Sequence, residues 1–290
     1  MSTLAKVPCT IVTGFLGAGK TTLVRHVLEN AGGRRLAVIV NEFGDVGIDG
    51  EILKSCGIES CTEDAIVELA NGCICCTVAD DFVPALKGLL DRPSPPEHIV
   101  IETSGLALPK PLVKAFNWPE IASRVTVDGV VAVVDGAAVA AGRFADDPEA
   151  LPRSVKVIIT ADGKVDQKLL LGLGVGTEDD IENRRTHHDD EEDHDHDDFD
   201  SFVVPLQEVA DPAALAARLT ALAEEFDVLR VKGFAAVANK PLRLLVQAVG
   251  PRVTHQYDRP WAANETREGR LVVIGLKGLD RAAVAHALIG

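Results

Sequence analysis

Gly14-Phe15-Leu16-Gly17-Ala18-Gly19-Lys20-Thr21-Thr22 is the stretch on which the reading of this 290-residue chain turns. It follows an apolar, β-branched run, Cys9–Thr13, and opens an amphipathic one, Lys20–Asn30. The pattern G-x-x-x-x-G-K-[ST] between a strand and a helix is that of a phosphate-binding loop. Its glycines let backbone N–H groups turn inward at a helix N-terminus and cradle phosphate oxygens. Gly14, Gly17, Ala18, Gly19 and Thr22 are therefore candidate contacts to a nucleotide. Lys20 has the reach for the β- and γ-phosphates, and the Thr21 hydroxyl suits Mg2+. A glycine-rich turn without a ligand is the plainer alternative, but the strand–loop–helix setting speaks against it.

A phosphate loop needs a second acid. His98-Ile99-Val100-Ile101-Glu102-Thr103-Ser104-Gly105 is an apolar strand that ends in a carboxylate. Such a strand end holds Glu102 opposite Thr21, directly or through water on Mg2+, and Gly105 can offer its N–H to a γ-phosphate. Lys20, Thr21 and Glu102 are thus the candidate catalytic residues, with an ordinary strand-end Glu as the bland alternative. Asn41-Glu42-Phe43-Gly44-Asp45 follows the next strand-like run and has the position of a switch loop. Its composition fits a plain turn equally well.

Outward from the loop, strand-like runs at Cys9–Thr13, Leu36–Val40, Ile66–Leu69, His98–Ile101, Gly129–Val134 and Val155–Thr160 alternate with helical patterns. The helical patterns lie at Lys20–Asn30, Thr77–Leu90, Lys110–Phe116 and Asp166–Leu171. This alternation predicts an α/β domain over 1–173, its sheet mostly parallel with helices on both faces. Residues 174–198, rich in His and acid, read as a linker without apolar content to bury. Beyond it, Asp200–Val209, Val228–Ala238, Leu242–Val249, Thr254–Tyr257 and Leu271–Leu276 read as strands. Asp211-Pro212 opens a helix to Phe226, and Asp280 begins another. Residues 199–290 are therefore expected to form a smaller α+β domain with an antiparallel sheet.

Hydrophobic residues make up 47% of the chain and charged ones 25%, a globular balance. The net charge of −15 is local: residues 178–200 hold 13 acids against two arginines, leaving −4 for the rest. Neither part is basic enough to hold nucleic acid. No apolar run is long enough to span a bilayer, and the first residues lack the apolar region of a secretory signal. A reducing cytoplasm is the expectation, with thiols free.

Three of the six cysteines fall in Cys73-Ile74-Cys75-Cys76, before the helical pattern from Thr77. A helix N-terminus favours thiolate, the form that binds metal. Three thiolates from one loop suit Zn2+, Cu+ or Co2+ rather than Mg2+ or Ca2+. Three protein ligands leave a fourth position for a carboxylate, with Glu42 and Asp45 as candidates, for water or for an acceptor; that suits a carried metal better than a closed structural site. A Cys73/Cys76 redox pair and small buried filler are the alternatives, and Cys9, Cys56 and Cys61 read as filler. The His-rich tract could bind metal weakly.

Gly14–Thr22, Asn41–Gly44, Asn71–Cys76 and Glu102–Gly105 together resemble the CobW-type metallochaperone GTPases, over nearly the whole chain. The resemblance implies a SIMIBI-type P-loop GTPase in which Cys73, Cys75 and Cys76 take a divalent transition metal when GTP–Mg2+ is bound. Hydrolysis would then release the metal to a client. It implies Co2+ for a corrin ring, with Zn2+ in related members, and a client such as a cobaltochelatase; a homodimer is a candidate assembly. In one respect the chain departs from the pattern. The family's N-K-x-D guanine motif is absent, and Ala145–Arg153 passes straight to Val155–Thr160, as though about fifty residues were missing. Gly163-Lys164-Val165-Asp166 has the Lys and Asp spacing, but with Gly for Asn and after the wrong strand. Two other readings stand beside this one: a metal-binding or storage protein with a crippled nucleotide site, and a P-loop small-molecule kinase.

Overall fold

A computed structural model describes residues 6–41, 53, 65–69, 81–105, 109–140, 156–183, 199–226, 228–262 and 265–289. The chain divides into two compact units, one containing the phosphate loop and the described residues to Asn183 except Leu53, the other containing Leu53 and those from Phe199 onward.

In the first unit five strands form a parallel sheet: β1 (Val7–Thr13), β2 (Leu36–Asn41), β3 (Ile66–Leu69), β4 (His98–Glu102) and β5 (Val125–Ala132). Their order is β3-β2-β4-β1-β5, so β1 lies between β4 and β5. Every residue of β2 and β4 is buried, as parallel strands covered on both faces require. Helix α1 (Lys20–Glu29) turns Leu23, Val24, Val27 and Leu28 inward, the i, i+1, i+4, i+5 pattern of an amphipathic helix. Helices α2 (Val83–Leu90), α3 (Pro109–Ala115) and α4 (Gly136–Ala140) follow.

Four expectations need correction. The strand expected at Gly129–Val134 runs Val125–Ala132 instead. Within it the Asp128 carboxylate accepts from Gly172 N and Gly174 N, both at 2.6 Å, and this makes a buried acid acceptable within a strand. No strand forms at 156–160; a strand needs a ladder partner, and β5 ends the sheet without pairing to this run. Asp166–Leu171 gives only a short 3-10 turn, Gln167–Leu169, too short to nucleate an α-helix. The linker expected from Gly174 also starts later. Thr177–Asn183 is a 3-10 helix with Thr177, Glu178 and Ile181 buried. The Glu178 carboxylate accepts from Thr126 Oγ1 (2.6 Å) and Val127 N (2.9 Å), and so fastens this turn to β5. Of the helix expected at Thr77–Leu90, residues 77–80 lie outside the described residues and α2 begins at Val83.

The second unit is an antiparallel sheet of order β6-β10-β7-β8-β9, formed by Phe199–Leu206, Gly269–Leu276, Val228–Ala235, Leu242–Val249 and Arg252–Pro260. Helix α5 (Pro212–Glu225) begins where Asp211 accepts from Ala213 N at 3.0 Å, with proline at the first helical position. Its Leu215, Leu219 and Leu222 join Val284 and Leu288 of α6 (Arg281–Ile289) over Val231, Leu244, Val246, Leu271 and Val273. Arg243 is buried against the Phe234 ring (3.6 Å) and bonded to Asp258 (2.6 Å) and Glu265 (3.3 Å).

His98, at the start of β4, is a buried histidine in the first unit. Its Nε2 lies 2.8 Å from the Thr10 hydroxyl, which donates to Leu170 O at 3.3 Å. Burial lowers its pKa to about 4; the nearby Asp128 charge opposes the shift and Arg34 adds to it. The unfolded chain takes up this proton as pH falls through 6.5, whereas the folded chain does not until about 4. Stability is therefore lost as pH falls across that window. Between about pH 7 and pH 5 the loss attributable to His98 should be about 2 kcal/mol. Urea titrations at both pH values should show it, and His98→Gln should flatten the dependence. An unchanged slope in the variant would refute the assignment.

Candidate functional site

The phosphate loop leaves the carboxyl end of β1, an interior strand between β4 and β5, and open parallel sheets place ligands at the carboxyl ends of their strands. Gly14 has a φ of 137°, and a side chain there would run into Val133 O beyond β5. The turn tightens through Ala18 N, which donates to Phe15 O at 3.2 Å. Gly19 then caps α1 in the left-handed region (φ 102°) with no side chain to occupy the helix start. The first-turn amides, which the helix itself cannot satisfy, and the positive end of the helix dipole both favour an anion at this place.

Lys20 is buried, and its ammonium donates to Gly14 O (2.8 Å) and Phe15 O (3.2 Å). The lysine thus reaches back across the loop it follows. The parallel register sets Glu102 beside Val12, at the carboxyl end of β4. Thr21 Oγ1 donates to Glu102 Oε1 at 2.7 Å, and Glu102 is buried. The carboxylate and hydroxyl expected to face one another do so. Hard oxygen donors at a phosphate loop are the donor set that Mg2+ takes, whereas they would suit a soft metal poorly.

Gly105 is placed by the turn after β4. A Cβ on it would meet Leu16 at 2.5 Å from the side chain and 2.7 and 2.8 Å from the backbone. The loop after β4 therefore touches the phosphate loop closely enough that only glycine fits. Two further polar residues in that turn were not singled out in the sequence. Thr103 N donates to Val12 O (2.9 Å) and its hydroxyl to Thr13 Oγ1 (3.1 Å), while Ser104 is also buried. The signal available was two hydroxyl residues directly after an apolar strand.

Asn41 ends β2 and is buried, whereas Glu42, Phe43, Gly44 and Asp45 lie outside the described residues. So do Cys73, Cys75 and Cys76, together with Cys56 and Cys61. Among the described residues no group of three His, Cys, Asp or Glu is arranged to hold a metal. Cys9 is buried in β1, and burial raises its thiol pKa, with the Glu178 and Asp128 charges adding to the shift. It is apolar filler, as read.

Comparison with known proteins places this geometry in a family. Residues 8–170 match the CobW/HypB/UreG nucleotide-binding domain, and residues 199–290 match the cobalamin synthesis protein cobW C-terminal domain. A protein of Sinorhizobium sp described as zinc chaperone CobW is 52% identical over 341 aligned positions, covering 98% of this chain and 96% of that one. A Pseudomonas aeruginosa protein of the same description is 49% identical over 347 positions, covering 99% and 92%. The solved structure of Zn(II)-bound YjiA GTPase from E. coli is 25% identical and covers 98% of both chains, with a TM-score of 0.40. With its phosphate loop on a parallel sheet and a matched nucleotide-binding domain, the protein is of the P-loop nucleotide-binding class. More narrowly, it belongs to the CobW/HypB/UreG family and carries the CobW C-terminal domain. The two alignments exceed the chain's 290 residues by 51 and 57 positions. This matches the size of the segment read as missing after Ala145.

Gly105→Ala should force the two loops apart and cost about 1–3 kcal/mol, as overpacking of a tight contact does. Thermal unfolding and nucleotide titration should both weaken; a variant equal to the parent in both would refute the contact.

Proposed function

We propose that this protein is a GTP-dependent zinc chaperone that loads its cargo in the nucleotide-bound state. The observation that carries the reading is the Thr21–Glu102 pair beside the Lys20 loop, 2.7 Å apart. It supplies a hydroxyl and a carboxylate at the place where a triphosphate's metal ion would sit. In this reading the first-turn amides of α1 and Lys20 hold the β- and γ-phosphates, and Gly105 N–H meets the γ-phosphate. Mg2+, held by Thr21 with Glu102 beside it, would neutralise charge as the γ-phosphoryl group departs. Lys20 leaves its loop carbonyls for the phosphate oxygens and puts a fixed positive charge where negative charge develops.

Cys73, Cys75 and Cys76 are the proposed cargo site, with Glu42 or Asp45 completing it. Their place in the chain, between the Asn41 switch position and Glu102, sets them between two nucleotide-sensing segments. The names of the two near full-length relatives favour zinc as the cargo. A second reading, cobalt destined for a corrin ring and a cobaltochelatase-like client, draws on the cobalamin description of the matched C-terminal domain. Either metal would pass to a client metalloenzyme in a reducing compartment, the cytoplasm, where the thiols stay free. No helix among the described residues is long and apolar enough to cross a membrane.

Coupling is reciprocal: if GTP–Mg2+ raises zinc affinity, zinc raises GTP affinity by the same factor. Zn2+ and Co2+ titrations with and without GTP–Mg2+ test the proposal directly, and equal affinity in both conditions would overturn it. Cys75→Ala should weaken metal binding while leaving nucleotide binding intact. Lys20→Ala should cut turnover by about 100-fold or more, the scale set by losing one charge-stabilising donor. Retained turnover would remove Lys20 from its role.

A further inference from the structure

The last turn of α1 and a segment that runs along the helix enclose an open cleft of about 510 Å³ in the first unit. One wall is the end of the helix and the turn into β2, with His26, Gly32 and Arg34; the other is the 164–168 stretch, with Lys164, Asp166 and Lys168. That stretch is held close to the helix. A Cβ on Gly163 would meet Leu23 N at 3.0 Å, and Gln167 Nε2 donates to Val27 O at 2.6 Å. In a chain of net charge −15, the cleft gathers three cations against one acid.

Neither the fold nor the helix accounts for those cations. Arg34 and Lys168 are exposed, and their side chains have no hydrogen-bond or ion-pair partner among the described residues. Among those residues Lys164 reaches only Asp162, at 3.8 Å. The Asp166 carboxylate accepts from Lys168 N at 3.0 Å and so caps its own 3-10 turn. Cations gather at a helix C-terminus where they offset its dipole, but here neutral donors already take the last carbonyls. Asn30 N and Nδ2 donate to His26 O (3.2 and 2.8 Å), Gln167 to Val27 O, and Ala31 N to Leu28 O (3.2 Å). Gly32 and Gly33, with φ of 61° and 84°, carry the turn through the left-handed region that favours glycine. The Gly32 N–H has no acceptor among the described residues. Turn amides beside cations make an anion-binding concavity.

We propose that this cleft binds a phosphate-bearing small molecule, with Arg34, Lys164 and Lys168 on its phosphoryl oxygens and the Gly32 N–H as a neutral donor. The site is distinct from the phosphate loop, which opens the other end of α1. Its volume is that of a small-molecule pocket, whereas an acidic peptide needs an extended groove. The planar guanidinium of Arg34 matches two phosphoryl oxygens at once, and the two lysines add mobile point charges. A compact ligand with one or two phosphoryl groups satisfies both the charge and the space.

Inorganic pyrophosphate, titrated into the nitrogen-15-labelled full chain and followed by amide chemical shifts, tests the proposal, because the two anion sites then report separately. The amides of Gly32, Gly33 and Lys168 should shift and saturate. Arg34→Gln and, separately, Lys168→Gln should each weaken that binding by roughly tenfold, the scale of one charge-assisted hydrogen bond. Both side chains are exposed, so the fold should survive, and an unchanged far-ultraviolet spectrum would verify that. Shifts confined to Gly17–Thr22, or cleft shifts that both variants leave unchanged, would overturn the proposal. So would a hexa-aspartate peptide that binds the cleft while pyrophosphate does not. Ribose 5-phosphate, run in parallel, separates the two sources of a phosphoryl group. Tighter binding of the ester assigns the cleft to a phosphorylated metabolite, and tighter binding of pyrophosphate assigns it to the inorganic anion; either supports the site. Nucleotide binding at the phosphate loop reads out at Gly17–Thr22, so failure of the function proposed above leaves this test intact.

Discussion

The parallel pairing of β1 with β4 is the constraint on which the site depends. Register places Glu102 opposite Val12, and only in that register does a carboxylate arrive beside the first turn of α1. A one-residue slip would turn Glu102 to the other face of the sheet and leave the Thr21 hydroxyl with nothing to meet. The register is held from both sides by buried apolar runs, Ile11 and Val12 against Ile99, Val100 and Ile101. Hydrophobic burial therefore fixes the position of the polar pair.

Backbone closeness does the rest. Gly14 lies against Val133 O, Gly105 against Leu16, and Thr103 N donates to Val12 O. These contacts link the phosphate loop to the ends of both neighbouring strands. The loop is preorganised by its neighbours as well as by its own glycines, which lowers the ordering cost of binding an anion there.

The legible parts of the fold were those that local chemistry determines. The phosphate loop, the start of α1 at Lys20, β3 at Ile66–Leu69, and the Asp211-Pro212 opening of α5 follow from short-range rules and fall where the sequence puts them. The Thr21–Glu102 pair, 81 residues apart in the chain, was legible because a motif fixes both ends. What was not legible rests on distant partners. The early start of β5 includes Asp128, a buried acid that depends on donation from Gly172 and Gly174, and Glu178 reads as part of an acidic linker until Val127 and Thr126 claim its carboxylate. Lys156–Thr160 errs in the opposite direction. Its residues favour a strand, but propensity without an adjacent edge makes none.

The two buried acids bear on how the β5 edge of the sheet is protected. An exposed parallel edge would leave a row of backbone donors and acceptors that water alone must satisfy. Asp128 and Glu178 instead fasten the 172–178 segment over the first half of that edge through five hydrogen bonds, four from backbone N–H and one from a hydroxyl, counting Val175 N to Asp128 O. Both carboxylates are buried, and their bonds offset the desolvation of the charges. That clamp protects the portion of β5 nearest the core, where Val125 and Val127 pack, and stops short of the portion nearest the phosphate loop. Among the described residues the edge is thus sealed where burial demands it, and the clamp does not extend to the stretch beside the nucleotide site that leads to Val133, the residue against which Gly14 turns.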